Sequence, residues 1–138
     1  MNKYYHVTPI ENAESIKTNG IMNDGEGIFV IDTDDLFVIK HIALNQIFCP
    51  EIAVFQIDVN GLKGKRYHDK VSEMTSNHQF YSKQKRVDPK YIRFYKEYKF
   101  NEDDMVDFFI QSNEKFGVKM DRNYLKELFK TQMSSKSK

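Results

Sequence analysis

A histidine at the end of a predicted strand, followed by a hydroxyl, stands out near the amino terminus. His6 precedes Thr8 by two residues, so an imidazole that can donate and accept hydrogen bonds lies close to a hydroxyl. No two histidines stand four residues apart, the spacing that would place both rings on one helical face; they are His6, His41, His68 and His78. Cys49 is the single cysteine, so paired thiolate ligands are absent too. We therefore expect no metal site; taken alone, His6 is more typical of a strand-end histidine whose hydrogen bonds are satisfied within the fold.

Several other classes of protein are excluded by what the chain lacks. It contains no phosphate-binding P-loop, no G-x-S-x-G, no G-x-G-x-x-G, no H-E-x-x-H and no calcium loop. With 138 residues, 40% hydrophobic and 30% charged, it is long enough and apolar enough to bury one core, which argues against disorder. No apolar run approaches the ~20 residues of a membrane helix, and no signal peptide is recognisable. We expect a cytoplasmic protein that does not act in a membrane.

The elements that would position His6 and Thr8 alternate between strand and helix. A strand over residues 3–7 is followed by a helix that Thr8 and Pro9 begin and that Asn19 and Gly20 end. Residues 28–31 form a continuous apolar run short enough for a buried strand. The acidic residues at 32–35 then cap a helix predicted over 36–48, and a third strand is predicted over 52–59.

The second half of the chain predicts further strands and then two helices. Residues 65–77 lack a clear period and are predicted to be a loop with at most a turn of helix, and a loop of that length in a compact domain is often functional. Strands are predicted over 78–82 and 92–98, and helices over 102–116 and 122–133 behind the cap residues Asn101 and Asp121. The expected fold is α+β, a mixed sheet with flanking helices: one domain over 1–133, with a core over 3–98, a helical pair over 101–133, and a disordered tail over 134–138.

Charge is distributed unevenly along the chain. Residues 1–62 carry a net charge of −6 and residues 63–100 a net charge of +7. The segment 80–99 interleaves basic and aromatic residues, which suits phosphate contacts and base stacking. The period-2 alternation over 91–96 is also what an amphipathic strand with a solvated cationic face would have, and we favour that interpretation.

Four segments of the sequence, taken in order, resemble the ADP-ribosyltransferase fold. Residues 4–21, YYHVTPIENAESIKTNGI, are similar to the first block of diphtheria-toxin-like enzymes, RNA 2′-phosphotransferases and small toxins that modify DNA or protein. Residues 27–32, GIFVID, resemble the second block, and residues 54–59 resemble the central strand. Residues 78–82, HQFYS, followed by 87–92, VDPKYI, resemble the third block. The resemblance covers about residues 3–98.

The resemblance implies a role for each matching residue. His6 would bind the adenosine-side ribose of NAD, and backbone groups at Val7 and Thr8 would hold the nicotinamide amide. Phe29 stands where the family usually has a tyrosine that stacks on the nicotinamide ring; stacking would survive and the hydroxyl would not. Gln79 stands where the family usually has a glutamate, so the implied catalytic residues are Gln79 and His6.

The glutamine at position 79 puts catalysis in question. A glutamine keeps hydrogen-bonding capacity but lacks the negative charge that stabilises the oxocarbenium ion formed as the glycosidic bond breaks. If the alignment is shifted, the catalytic residue could be Gln84, Glu73 or Glu97. The cations after this block are expected to face the pyrophosphate of NAD or a nucleic-acid acceptor; they are Lys83, Lys85 and Arg86.

Three functions follow from these observations. The first is an NAD-dependent mono-ADP-ribosyltransferase acting on a protein or nucleic acid, as a toxin or phage-encoded effector, with NAD as substrate and no metal. The second is a non-catalytic relative that binds NAD, ADP-ribose or a related nucleotide, or inhibits a protein partner through its surface. The third is a nucleic-acid-binding module that uses segment 80–99. The terminal helices, which carry Phe108 and Phe109, could dock a partner.

Overall fold

A computed structural model describes residues 3–69, 76–114 and 117–136. Within them the chain forms a mixed α+β fold with a mostly antiparallel sheet of six strands and four helices. The strands are β1 (Lys3–Pro9), β2 (Ile21–Met22), β3 (Ile28–Ile31), β4 (Glu51–Asp58), β5 (Arg66–His68), β6 (Gln79–Ser82), β7 (Arg86–Val87) and β8 (Ile92–Lys99). The large sheet has the order β5-β6-β3-β1-β4-β8, and β2 and β7 form a second, two-stranded sheet.

One face of the large sheet buries the principal core. Alternate residues of β3 and β4 point to this face, because side chains along a strand alternate between its two sides. Ile28, Val30 and Phe55 are at most 2% exposed there. They pack with Ala13 and Ile16 of α1 (Ala13–Asn19), which follows a single 3-10 turn after β1.

The sheet opens between β1 and β3. The register joining these two described strands consists of one pair, Tyr5 opposite Ile31. By contrast, β1 pairs with β4 at seven positions, and β3 pairs with β6 along its full length. Beyond Tyr5, therefore, the edges of β1 and β3 face each other without being joined by strand pairing.

The helix predicted over 36–48 is shorter and changes its winding. Asp35 caps α2 (Leu36–His41), because its carboxylate accepts hydrogen bonds from the backbone N–H groups of Phe37 and Val38. The next turn, Ile42–Gln46, is a π-helix in which the N–H of Ile47 donates to the C=O of Ile42, 2.9 Å away. The wider winding redirects the side chains after His41.

Three short strands were not predicted. β5 lies within the segment expected to be a loop, and β2 and β7 have only two residues each, too few for an alternating pattern. Residues 70–75 of the expected loop lie outside the described residues. Gly20 ends α1 as predicted: its φ is +85°, and a Cβ there would overlap the carbonyl oxygen of Val87.

The chain divides into two compact units, residues 1–98 and 99–138. The second contains α3 (Glu102–Glu114) and α4 (Arg122–Lys136). Asn101 and Asp104 exchange side-chain-to-backbone hydrogen bonds of 2.8 and 3.0 Å at the start of α3. The end of α4 at Lys136 places residues 134–136 in a helix rather than in the expected tail. No helix among the described residues is long and apolar enough to cross a membrane.

Candidate functional site

A cavity of about 490 Å³ lies where β1 and β3 separate. The π-helical turn and the residue after it contribute Ile42, Gln46 and Ile47 to its lining. The lining includes five of the residues to which the family resemblance gives a role, namely His6, Val7, Thr8, Phe29 and Gln79. The other lining residues are Tyr5, Pro9, Glu26, Val30, Ile31, Ile42, Gln46, Ile47 and Asp69.

His6 spans the gap between the two separated strands. Its Nδ1 lies 2.7 Å from the carbonyl oxygen of Phe29, and because a carbonyl can only accept, Nδ1 carries the proton. Burial lowers the pKa of His6, against the smaller opposing effect of this hydrogen bond. The ring is therefore neutral at pH 7, and its Nε2 is a hydrogen-bond acceptor.

Phe29 places an accessible aromatic ring at the cavity. The side chain is 40% exposed although it lies on a strand whose other residues are buried. Its ring centre is 5.9 Å from that of Tyr81, which stands opposite it on β6. An exposed ring supported from one side can stack on a planar ligand.

Val7 and Thr8 line the cavity at the edge of β1 where pairing with β3 has ended. The Thr8 hydroxyl is nearly buried and accepts a hydrogen bond from the Asn12 amide at 3.1 Å. Because that hydroxyl already has a partner, the backbone groups of this edge are the more suitable ligand contacts.

Gln79 is held by a second glutamine. Its side chain is 4% exposed, and its amide exchanges two hydrogen bonds with the amide of Gln46, at 2.9 and 3.0 Å. Sequence reasoning missed Gln46, because its orientation depends on the π-helical turn. These two bonds fix the orientation of the Gln79 amide, which carries no charge.

Two carboxylates at the cavity were also missed. Glu26 and Asp69 both line it. The N–H of Asp69 donates to the C=O of Gln79 at 2.8 Å, which places Asp69 beside Gln79 at the ends of β5 and β6. A cation that developed in the cavity would meet these two negative charges.

Two of the three residues weighed as replacements for Gln79 are not part of the described cavity lining. Gln84 and Glu97 are absent from the described cavity lining. The amide of Gln84 bonds instead to backbone groups of Gly61, Lys63 and Arg86. Glu73 lies outside the described residues.

The basic residues expected at the pyrophosphate are not among the described residues that line this cavity. Lys83, Lys85 and Arg86 are exposed and absent from the described lining, and Arg86 Nε donates to the C=O of Asn19 at 2.7 Å. The segment 80–99 does not form one surface, because three strands separate β6 from β8 in the sheet order. Its sequence continuity therefore does not bring its cations together.

The described residues contain no group of three histidine, cysteine or acidic side chains placed to hold a metal ion. The polar side chains of the described lining are the Gln46 and Gln79 amides, the His6 imidazole, the Thr8 hydroxyl, the Tyr5 phenol and the Glu26 and Asp69 carboxylates. This set suits a ligand rich in hydroxyl and amide groups. No protein-family model, curated protein or solved structure matches the chain.

Proposed function

We propose that the cavity binds NAD and that the protein is a small ADP-ribosyltransferase with a macromolecular acceptor. One observation carries the proposal. Residues 6–8, 29 and 79 are distant in sequence, acquire roles from the family resemblance alone, and line the same cavity. Its volume of about 490 Å³ is within the usual range for a small-molecule site.

The proposed binding mode uses the opening in the sheet. The bare Nε2 of His6 accepts a hydrogen bond from a hydroxyl of the adenosine-side ribose, since Nδ1 is committed to Phe29. The Phe29 ring stacks on the nicotinamide. Backbone groups of Val7 and Thr8, on the separated edge of β1, hold its carboxamide.

The proposed reaction breaks the bond between C1′ of the nicotinamide-side ribose and the ring nitrogen of nicotinamide. The bonding electron pair leaves with nicotinamide, which becomes neutral, and an acceptor nucleophile attacks C1′ and loses a proton. Gln79 supplies hydrogen bonding but no charge, so Asp69 and Glu26 are the groups that can stabilise the developing cation.

A non-catalytic nucleotide-binding protein is the second candidate, and the glutamine pair favours it. Gln79 occupies the position of the family's glutamate, and Gln46 satisfies its amide directly. A buried neutral amide that is already paired can shape a pocket without promoting bond cleavage. Under this alternative NAD or ADP-ribose binds and nicotinamide is not released.

Calorimetric titration with NAD, followed by mass spectrometry of released nicotinamide, tests both candidates. His6→Ala and Phe29→Ala should each weaken NAD binding by about 5- to 30-fold, since each removes a direct ligand contact of ~1–2 kcal/mol. His68→Ala is the matched control, because His68 is exposed and is not among the described lining residues.

The outcomes separate the candidates. Nicotinamide release that falls in Asp69→Asn or Glu26→Gln supports the transferase. Binding without release, in the presence of candidate acceptors, supports the non-catalytic protein. Absence of NAD and ADP-ribose binding refutes both.

A further inference from the structure

A row of aromatic side chains leads from the cavity to the edge of the sheet. Phe29, Tyr81 and Tyr67 stand opposite one another on β3, β6 and β5, so their side chains project from the same face. The Tyr81 ring centre is 5.9 Å from that of Phe29 and 5.3 Å from that of Tyr67, with the two tyrosine rings 22° from parallel. The row therefore begins at the cavity and ends at β5.

Two lysines lie over the ring at the outer end of this row, and two more are exposed nearby in the sequence. Lys83 Nζ lies 4.5 Å and Lys65 Nζ 5.1 Å from the centre of the Tyr67 ring. Lys63 and Lys85 are exposed on the same two chain segments. None of these four lysines forms an ion pair with a carboxylate of the described residues.

Gln84 fixes the two lysine-bearing segments to each other. Its Oε1 accepts from the N–H of Lys63 at 2.8 Å, and its Nε2 donates to the C=O groups of Gly61 and Arg86 at 2.9 and 2.8 Å. The four lysines therefore lie on two segments that are joined by hydrogen bonds. Such an arrangement lowers the cost of holding several anionic groups at once.

We propose that this surface, the aromatic row of Phe29, Tyr81 and Tyr67 with Lys63, Lys65, Lys83 and Lys85, binds a single-stranded nucleic acid. The lysines contact phosphates and the aromatic row contacts bases. A base exposes both its ring face and its hydrogen-bonding edge only when it is unpaired. An acidic peptide would use the lysines and leave the aromatic row unused. The bound nucleic acid reaches the cavity at Phe29, so it is the acceptor of ADP-ribose. This last assignment rests on the proposed function.

Fluorescence anisotropy with labelled single-stranded DNA and RNA of about 12 nucleotides, without NAD, tests the surface. Four phosphate contacts predict that log affinity falls with log salt with a slope of about −3. Lys65→Ala combined with Lys83→Ala should weaken binding at least ~10-fold and reduce the slope by about 1.4. Tyr67→Leu should weaken binding about 10-fold and leave the slope unchanged.

Lys90→Ala combined with Lys96→Ala provides a matched control. These lysines also lie over tyrosine rings, 5.0 Å from Tyr91 and 5.5 Å from Tyr95, outside the proposed surface. The control should change affinity less than ~2-fold. Equal losses in the two double variants would overturn the proposal, because binding would then reflect total charge alone.

Other results would also overturn it. The first is a failure to bind oligonucleotides at about 50 mM salt. The second is tighter binding of the duplex than of the single strand. The third is binding of an acidic peptide or of anionic vesicles by a protein that does not bind oligonucleotides. Since this assay contains no NAD, its failure is distinguishable from failure of the NAD pocket. Adding NAD to the bound oligonucleotide should increase its mass by one ADP-ribose, and no increase would overturn its assignment as acceptor.

Discussion

Replacing Gln46 by leucine should expose how strongly the glutamine pair stabilises the cavity wall. The Gln46 and Gln79 amides exchange two hydrogen bonds, and Gln79 is 4% exposed. Leucine has a similar volume and cannot form either bond. In Gln46→Leu, the nearly buried Gln79 amide therefore loses both the donor and the acceptor that Gln46 provides.

The magnitude follows from the bonds lost. Each hydrogen bond contributes ~0.5–1.5 kcal/mol net, and an unsatisfied buried group costs ~1–3 kcal/mol. Because the cavity can admit water to the abandoned amide, we expect a cost near the middle of that range. Gln46→Leu and Gln79→Leu should each lower the free energy of unfolding by ~2 kcal/mol.

Urea denaturation of the two single variants and the double variant measures the coupling. With both amides removed, neither side chain of the pair is left without the other, so the double variant should lose ~2 kcal/mol rather than the sum of the single losses. Gln111→Leu is the control, since Gln111 is exposed on α3, and it should change stability by less than ~0.5 kcal/mol. Single losses below ~0.5 kcal/mol, or a double loss equal to their sum, would refute the reasoning.

Three further predictions concern ionisable groups. Hydrogen bonding of the Tyr95 hydroxyl to Asp34, at 2.7 Å, raises the pKa of Tyr95 to about 12; Asp34→Asn should return it toward 10 in an ultraviolet absorbance titration, and an unchanged value would contradict the bond. Burial lowers the pKa of His6 and of His41 from 6.5 in the folded protein. As the pH falls below 6.5, the unfolded chain binds more protons than the folded chain, so the free energy of unfolding decreases. The expected slope is at most ~1.4 kcal/mol per pH unit for each histidine, and urea denaturation of His6→Asn should show a smaller slope. Gln79→Glu places a carboxyl where only its protonated form can keep both bonds to Gln46, which raises its pKa; its stability should fall as the pH rises above ~4.3, and a pH-independent loss would count against burial of that side chain.

The main elements of the fold could be predicted from local signals. The apolar run at 28–31, the Asp35 cap and the Gly20 stop each act through neighbouring residues, and each produces the predicted boundary in the structure. These signals depend on propensity, capping and the left-handed backbone, so they need no knowledge of the rest of the chain. The mixed α+β fold follows from their order.

The candidate site was predictable only in part. The positions of His6, Phe29 and Gln79 came from the order of short blocks along the sequence, and they line one cavity. Gln46 and Asp69 carried no comparable signal. Gln46 lies on the cavity because the helix widens after His41, and Asp69 because the strand β5 pairs with β6.

The sequence by itself determined the longer strands and the starts of the helices after them, and which residue types are available to a ligand. Only the tertiary structure decided which of those residues meet. Strand pairing opens the sheet between β1 and β3, aligns Phe29 with Tyr81 and Tyr67, and separates β6 from β8 although they are close in sequence. The physical reason is that backbone pairing between distant segments depends on the packing of the whole sheet, whereas caps and turns depend on a few adjacent residues.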